Sequence, residues 1–217
     1  MPTARTRVKR SPHRAVYDQD EINEILDEGT IAHIGFVDGG QPYVIPTLYA
    51  RVGDRIYIHG AAAGRAIRRL TEGLPACLTV TLTDGIVLAR SAVNHSMNYR
   101  SVVVLGTCRP IDEPDQREAA LRAFSEHLIP GRWAEVRLPS REELKGTRVL
   151  AMALSECSAK RRSGPPEDDE DDYELPVWAG VIPLRTVAGP TITDPRLTGE
   201  HEPSPAVTSW RPTAQRR

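Results

Sequence analysis

Between residues 30 and 105, short β-branched runs and glycine or aspartate turns follow one another so closely that most gaps leave no room for a helix. Residues 30–37 are apolar and β-branched, Asp38-Gly39-Gly40 supplies a turn, and 42–50 is extended again, which predicts a hairpin. Val52-Gly53-Asp54 turns the chain into 55–59, where Ile56 and Ile58 alternate with Arg55 and Tyr57 as in a half-buried strand. Residues 76–82 and 86–90 read as two strands separated by Thr83-Asp84-Gly85. The run 99–105 is the strongest strand, because Val102, Val103 and Val104 are stiff at χ1. These five or six strands form a meander, and a further strand follows at 147–154. A doubly wound α/β fold needs a helix between successive strands, so the pattern predicts a mainly β fold, an antiparallel barrel or sandwich with flanking helices.

Those helices are few. Residues 18–28 place Ile22, Ile25 and Leu26 on one face, with acidic residues in the first turn and Gly29 at the stop. Residues 65–72 form a second helix ended by Gly73, and 115–127 carry Ala120, Leu121 and Phe124 at surface-helix spacing. Leu144 closes a short helical turn before the 147–154 strand. The organisation is then a flexible basic leader over 1–16, one domain over 17–185, and a proline-rich surface or disordered tail over 186–217. Residues 167–172 form an acidic loop within the domain.

The charge balance, 28 Lys plus Arg against 29 Asp plus Glu, creates no field that would draw the chain to nucleic acid or an anionic membrane. Cys77, Cys108 and Cys157 lie in no CxxC or zinc-ligand spacing, and no apolar run is long enough to span a bilayer. Together these features indicate reduced thiols, a cytoplasmic location and no metal site.

Two stretches carry candidate chemistry. Residues 59–65, His59-Gly60-Ala61-Ala62-Ala63-Gly64-Arg65, join a strand to a helix through small residues, bringing free helix N–H groups beside a guanidinium. That is what a phosphate needs, and it is equally what a tight strand-to-helix packing corner looks like. The stretch matches neither the P-loop nor the GxGxxG pattern. Asn98-Tyr99-Arg100-Ser101 brings polar residues into the valine-rich strand, either as a site at a barrel rim or as a solvated strand start. No serine lies in a nucleophile elbow, so no catalytic residue is assigned. His33 reads as a structural residue and His95 as a surface-loop histidine rather than a proton donor.

The order PYVIPTLY (residues 42–49), IYIHGAAAGRAIRRL (56–70) and NYRSVVVLG (98–106) resembles the pyridoxamine 5'-phosphate oxidase-like family, in particular its nitroimidazole-resistance-type members. The stretch 158–166 and Pro176-Val177-Trp178-Ala179-Gly180 resemble features of a long-chain subgroup. The resemblance implies a split β-barrel of the FMN-binding type over 17–185, dimerising with FMN in a groove at the subunit interface. By position it places Ile45, Pro46 and Thr47 along the flavin ring, and His59, Gly60, Ala61, Gly64 and Arg65 around the phosphate. Asn98, Tyr99, Arg100 and Ser101 complete the site, with Trp178 stacking on the ring or buried in the core. Many relatives carry a second cation directly after the position of Arg65, where this chain has Ala66; the resemblance leaves His59, Arg68, Arg69 or Arg100 to assist. The implied function is an FMN-dependent oxidoreductase acting on an unassigned small molecule. The alternative is a non-catalytic flavin- or heme-binding or sensing protein, and a deazaflavin or heme in place of FMN is a third possibility.

Overall fold

The computed structural model describes residues 2–213. Met1, in the expected leader, and 214–217, in the expected tail, lie outside the described residues. In chain order the elements are β1 (Ala15–Val16), α1 (Gln19–Glu28), β2 (Ile31–Asp38), β3 (Gln41–Val52), β4 (Arg55–Ala61), α2 (Arg65–Thr71), β5 (Pro75–Leu88) and β6 (Ser96–Thr107). They continue with β7 (Arg109–Pro110), α3 (Pro114–Leu128), α4 (Arg141–Gly146), β8 (Thr147–Ala153), β9 (Cys157–Arg162), β10 (Gly180–Pro183) and α5 (Pro205–Thr208).

Among the described residues, ten strands form one antiparallel sheet, ordered β1-β9-β6-β5-β2-β3-β4-β8-β7, with β10 on the far end of β5. The end strands β1 and β7 do not pair, so the sheet curls without closing, and the fold is the split barrel expected of this sequence. Alternation sets its inside: Ala32, Ile34 and Phe36 of β2 face Leu78 and Val80 of β5 and Val102 and Val104 of β6, with α1 packing Ile22, Ile25 and Leu26 against them. Each fully buried Ile or Leu contributes about 1.5–3 kcal/mol relative to exposure. A second cluster, under α3, joins Ala120 and Phe124 to Ala50, Val149 and Ala151.

Three expectations need correction. The segment 76–90 is one strand rather than two: β6 pairs with it on both sides of the Thr83-Asp84-Gly85 step, where Tyr99 faces Thr83 and Asn98 faces Gly85. Asp84 is the extra residue of a bulge, so turn-forming residues here re-aim a carboxylate instead of reversing the chain. The strands are also more numerous than the five or six of the meander, because β1, β7 and β10 are short edge pairings and β9 carries Lys160, Arg161 and Arg162 in place of an apolar run. Finally, Trp178 is not a core aromatic; the residue is 66% exposed and its ring lies over Gly180.

Candidate functional site

At the β4–α2 corner, the Ala62 N–H donates to the Gly146 carbonyl and the Gly64 N–H to the Ala61 carbonyl, closing a tight turn. Gly64 caps α2 without a side-chain bond, and the first intrahelical donor is Arg68. The amides of Arg65, Ala66 and Ile67 therefore face outward without a helical acceptor. A Cβ on Gly60 would come within 2.9 Å of Ile67 Cγ1, so Gly60 lets helix and strand approach. The corner thus combines both properties weighed from sequence, close packing and free amides.

The cations sort themselves by their partners. Arg65 is exposed, lies 5.2 Å over the Tyr43 ring and has no carboxylate partner; Arg68, one turn on, is likewise exposed and without one among the described residues. Arg69 is held by Asp38 and Glu72. Arg100 lies between two carboxylates, with bonds of 2.6 and 2.8 Å to Glu28 and 3.0 and 2.7 Å to Asp84, and these bonds raise its pKa above the usual guanidinium value. His59 turns toward α3: its ring is 4.4 Å from that of Phe124, Nδ1 is enclosed without a partner, and burial lowers its pKa. Of the three arginines named as helpers to Arg65, Arg68 alone has no carboxylate against it among the described residues.

Along 41–48, β3 pairs with β2 on one edge, while β4 takes up the other edge only at Tyr49. The second edge of β3 beside Ile45, Pro46 and Thr47 therefore presents backbone groups with no strand against them among the described residues. Their side chains straddle the sheet: Ile45 packs on the core, and Pro46 is exposed opposite His33.

The later motif divides. Tyr99 and Ser101 share the outer face, whereas Asn98 is buried, accepting from Arg162 (2.6 Å) and donating to the Gly164 carbonyl (3.0 Å). Arg100, with its two carboxylates, lies beside a cavity of about 720 Å³ at the barrel end, bordered by Thr30, Thr81, Thr83 and, from the C-terminal segment, Leu184 and Trp210. Arg100 is the one expected site residue lining it, so the structure separates Arg100 from the β4–α2 corner. The sequence reading missed Tyr43 beneath Arg65 and the buried Arg162; an aromatic two residues before Ile45, on the same strand face, was the available signal for the first.

Among the described residues, no group of three or more His, Cys, Asp or Glu is arranged to hold a metal ion, and no helix is long and apolar enough to cross a membrane.

A family model described as pyridoxamine 5'-phosphate oxidase matches residues 18–161. Among solved structures, the flavocytochrome Anf3 from Azotobacter vinelandii is 42% identical, with 97% of this chain and 98% of that one covered and a TM-score of 0.92. The FAD and heme binding protein from Mycobacterium smegmatis is 36% identical, covering 90% of this chain and 96% of that one, with a TM-score of 0.86. A Bacteroides thetaiotaomicron protein designated a 5-nitroimidazole antibiotic resistance protein, 22% identical over 67% of this chain and 85% of its own, has a TM-score of 0.56 and shares the fold. No curated protein matches.

Proposed function

Because the chain belongs to the pyridoxamine 5'-phosphate oxidase family, we propose that it is a flavoprotein whose cofactor phosphate sits on the β4–α2 corner. The observation that carries this reading is the pair Arg65 and Arg68, exposed and free of carboxylates, beside the uncapped first turn of α2. A dianion gains both charge-assisted hydrogen bonds and the field of the helix start there. The open edge of β3 at Ile45 to Thr47 offers main-chain donors and acceptors to the polar edge of the ring, with Pro46 flat against it. Tyr43 holds the Arg65 guanidinium in place through its ring face.

Flavin, when bound, supplies the redox chemistry; this chain binds it, orients it and excludes water. The half-buried imidazole of His59 packs against the Phe124 ring of α3. We assign FMN as the flavin and an oxidoreductase activity on a small molecule. The family and the two relatives above 30% identity support flavin; one of them is named a flavocytochrome and the other an FAD and heme binding protein.

A second copy of the chain completes the groove. Ile31, Val37 and Val44 are 48%, 53% and 69% exposed on one face of β2 and β3, beside Pro46 and His33. An apolar strip of this kind on a sheet face is a protein-contact surface. The free thiols Cys77, Cys108 and Cys157 support a reducing, cytoplasmic setting.

The test is the visible spectrum and mass spectrum of whatever small molecule copurifies, followed by titration with FMN and FAD. Protein that is colourless and binds neither flavin removes the reading; bound flavin or heme without NAD(P)H-driven turnover of any acceptor leaves the non-catalytic alternative.

A further inference from the structure

The cavity of about 720 Å³ at the barrel end has no part in the flavin reading, yet its floor carries an unbalanced charge. Glu28 ends α1, Asp84 is set out of β5 by the bulge, and both reach the one guanidinium of Arg100 on β6. One carboxylate would neutralise Arg100; the second leaves the group with one negative charge over. The Glu28, Asp84 and Arg100 side chains are 17%, 34% and 25% exposed, so solvent and salt screen that surplus less than they would at the open surface.

The same carboxylates keep acceptor capacity. Each of their four oxygens takes one hydrogen bond from Arg100, and among the described residues no other donor reaches them. A carboxylate oxygen can accept two. Two carboxylates sharing one site repel each other, and a second cation relieves that repulsion. The rest of the lining supplies little charge. Ile31, Leu82 and Leu184 give an apolar wall, and Thr81 and Thr83 add hydroxyls. Arg185 also borders the cavity, but it is exposed and its charge is screened by solvent. The His127 ring is turned to the Gly29 carbonyl, to which its Nε2 donates.

We propose that this cavity binds a small organic cation, its ammonium group set against the Glu28 and Asp84 carboxylates and its apolar body along the wall of Ile31, Leu82 and Leu184. An ammonium has three protons to donate, and the unused capacity of the two carboxylates and the Thr81 and Thr83 hydroxyls accept them. Cavities of this size with an apolar lining and a few converging polar groups are what small molecules occupy. The site uses no residue of the β4–α2 corner and stands whether or not flavin binds there.

Thermal unfolding of the full chain with tryptamine, tryptophol or indole-3-acetate tests it, since one indole body then carries in turn an ammonium, a hydroxyl and a carboxylate. At about pH 8 histidine is neutral and the amine still charged. Tryptamine is expected to raise the melting temperature at lower concentration than tryptophol, and indole-3-acetate to leave it unchanged. Glu28→Gln removes the surplus charge, so the tryptamine midpoint concentration should rise about tenfold, to that of tryptophol. Asp84→Asn should do the same, and it carries the test if Glu28→Gln fails to fold. Arg65→Ala and saturation with FMN should both leave the tryptamine response as it is. No stabilisation by tryptamine, equal effects of tryptamine and tryptophol, stabilisation by indole-3-acetate, a preference kept in both carboxylate variants, or one abolished by FMN overturns the proposal. Protein that binds no flavin but keeps the tryptamine preference removes the flavin reading and leaves this one standing.

Discussion

Single side chains here are chiefly distinguished by which partner they already have. Arg65 has a ring beneath it and no carboxylate beside it, so its charge is available. Arg65→Ala should weaken flavin binding by about 1.5–3 kcal/mol, roughly ten- to a hundredfold in Kd by fluorescence titration; unchanged affinity in a folded variant would move the phosphate elsewhere. Arg100 is the opposite case. Replacing it by Met leaves Glu28 and Asp84 facing each other at the cavity edge, and urea unfolding should show a loss of about 1–3 kcal/mol, moderated by partial exposure of the pair. His59 links the site to pH. Burial holds its pKa below the ordinary 6.5, so in the window beneath that value the unfolded chain takes up a proton that the folded chain does not. Stability should therefore fall as pH drops from about 7 to about 5, and the urea midpoint of His59→Gln should lack that component of the decline.

At the level of elements, helix positions were legible because they depend on local signals. The acidic first turn, the apolar stripe of α1 and the Gly29 stop all lie within a dozen residues of one another, and the structure adds Asp18 as a cap accepting from the Asp20 and Glu21 amides. What α1 packs against was not legible. A Cβ on Gly29 would lie 2.5 Å from Val80 Cγ1 and 2.6 Å from the Tyr49 hydroxyl, which itself donates to the Leu26 carbonyl. Gly29→Ala must displace a fully buried tyrosine or valine, and a destabilisation of about 1–3 kcal/mol is expected in urea or thermal unfolding. A stability within a few tenths of a kcal/mol of the parent would mean that the α1 end is looser than its packing implies. The bulge at Asp84 was misread as a turn for the same reason: Thr-Asp-Gly has the local chemistry of both, and only pairing with β6 on either side distinguishes them. β9 escaped notice because a basic strand, second from the sheet edge, has no apolar alternation to announce it.

For the whole molecule, the proposed contact with a second copy rests on the exposed strip across β2 and β3. Introducing a charge there, Val44→Lys, should convert a two-chain species into a one-chain species in sedimentation, with flavin retention falling in parallel; an unchanged mass would put the contact on another face. The amino-acid sequence by itself determined the mainly β class, the first two helices, and the small-residue corner leading into Arg65, because periodicity, turn residues and helix caps act over a few neighbouring positions. The tertiary structure alone decided which cations are free. Glu28 reaches Arg100 from 72 positions away, Asp38 reaches Arg69 from 31 away, and Arg162 meets Asn98 across 64. A guanidinium is available to a ligand only when no carboxylate has been folded against it, and that depends on strand order and register, which local patterns do not specify.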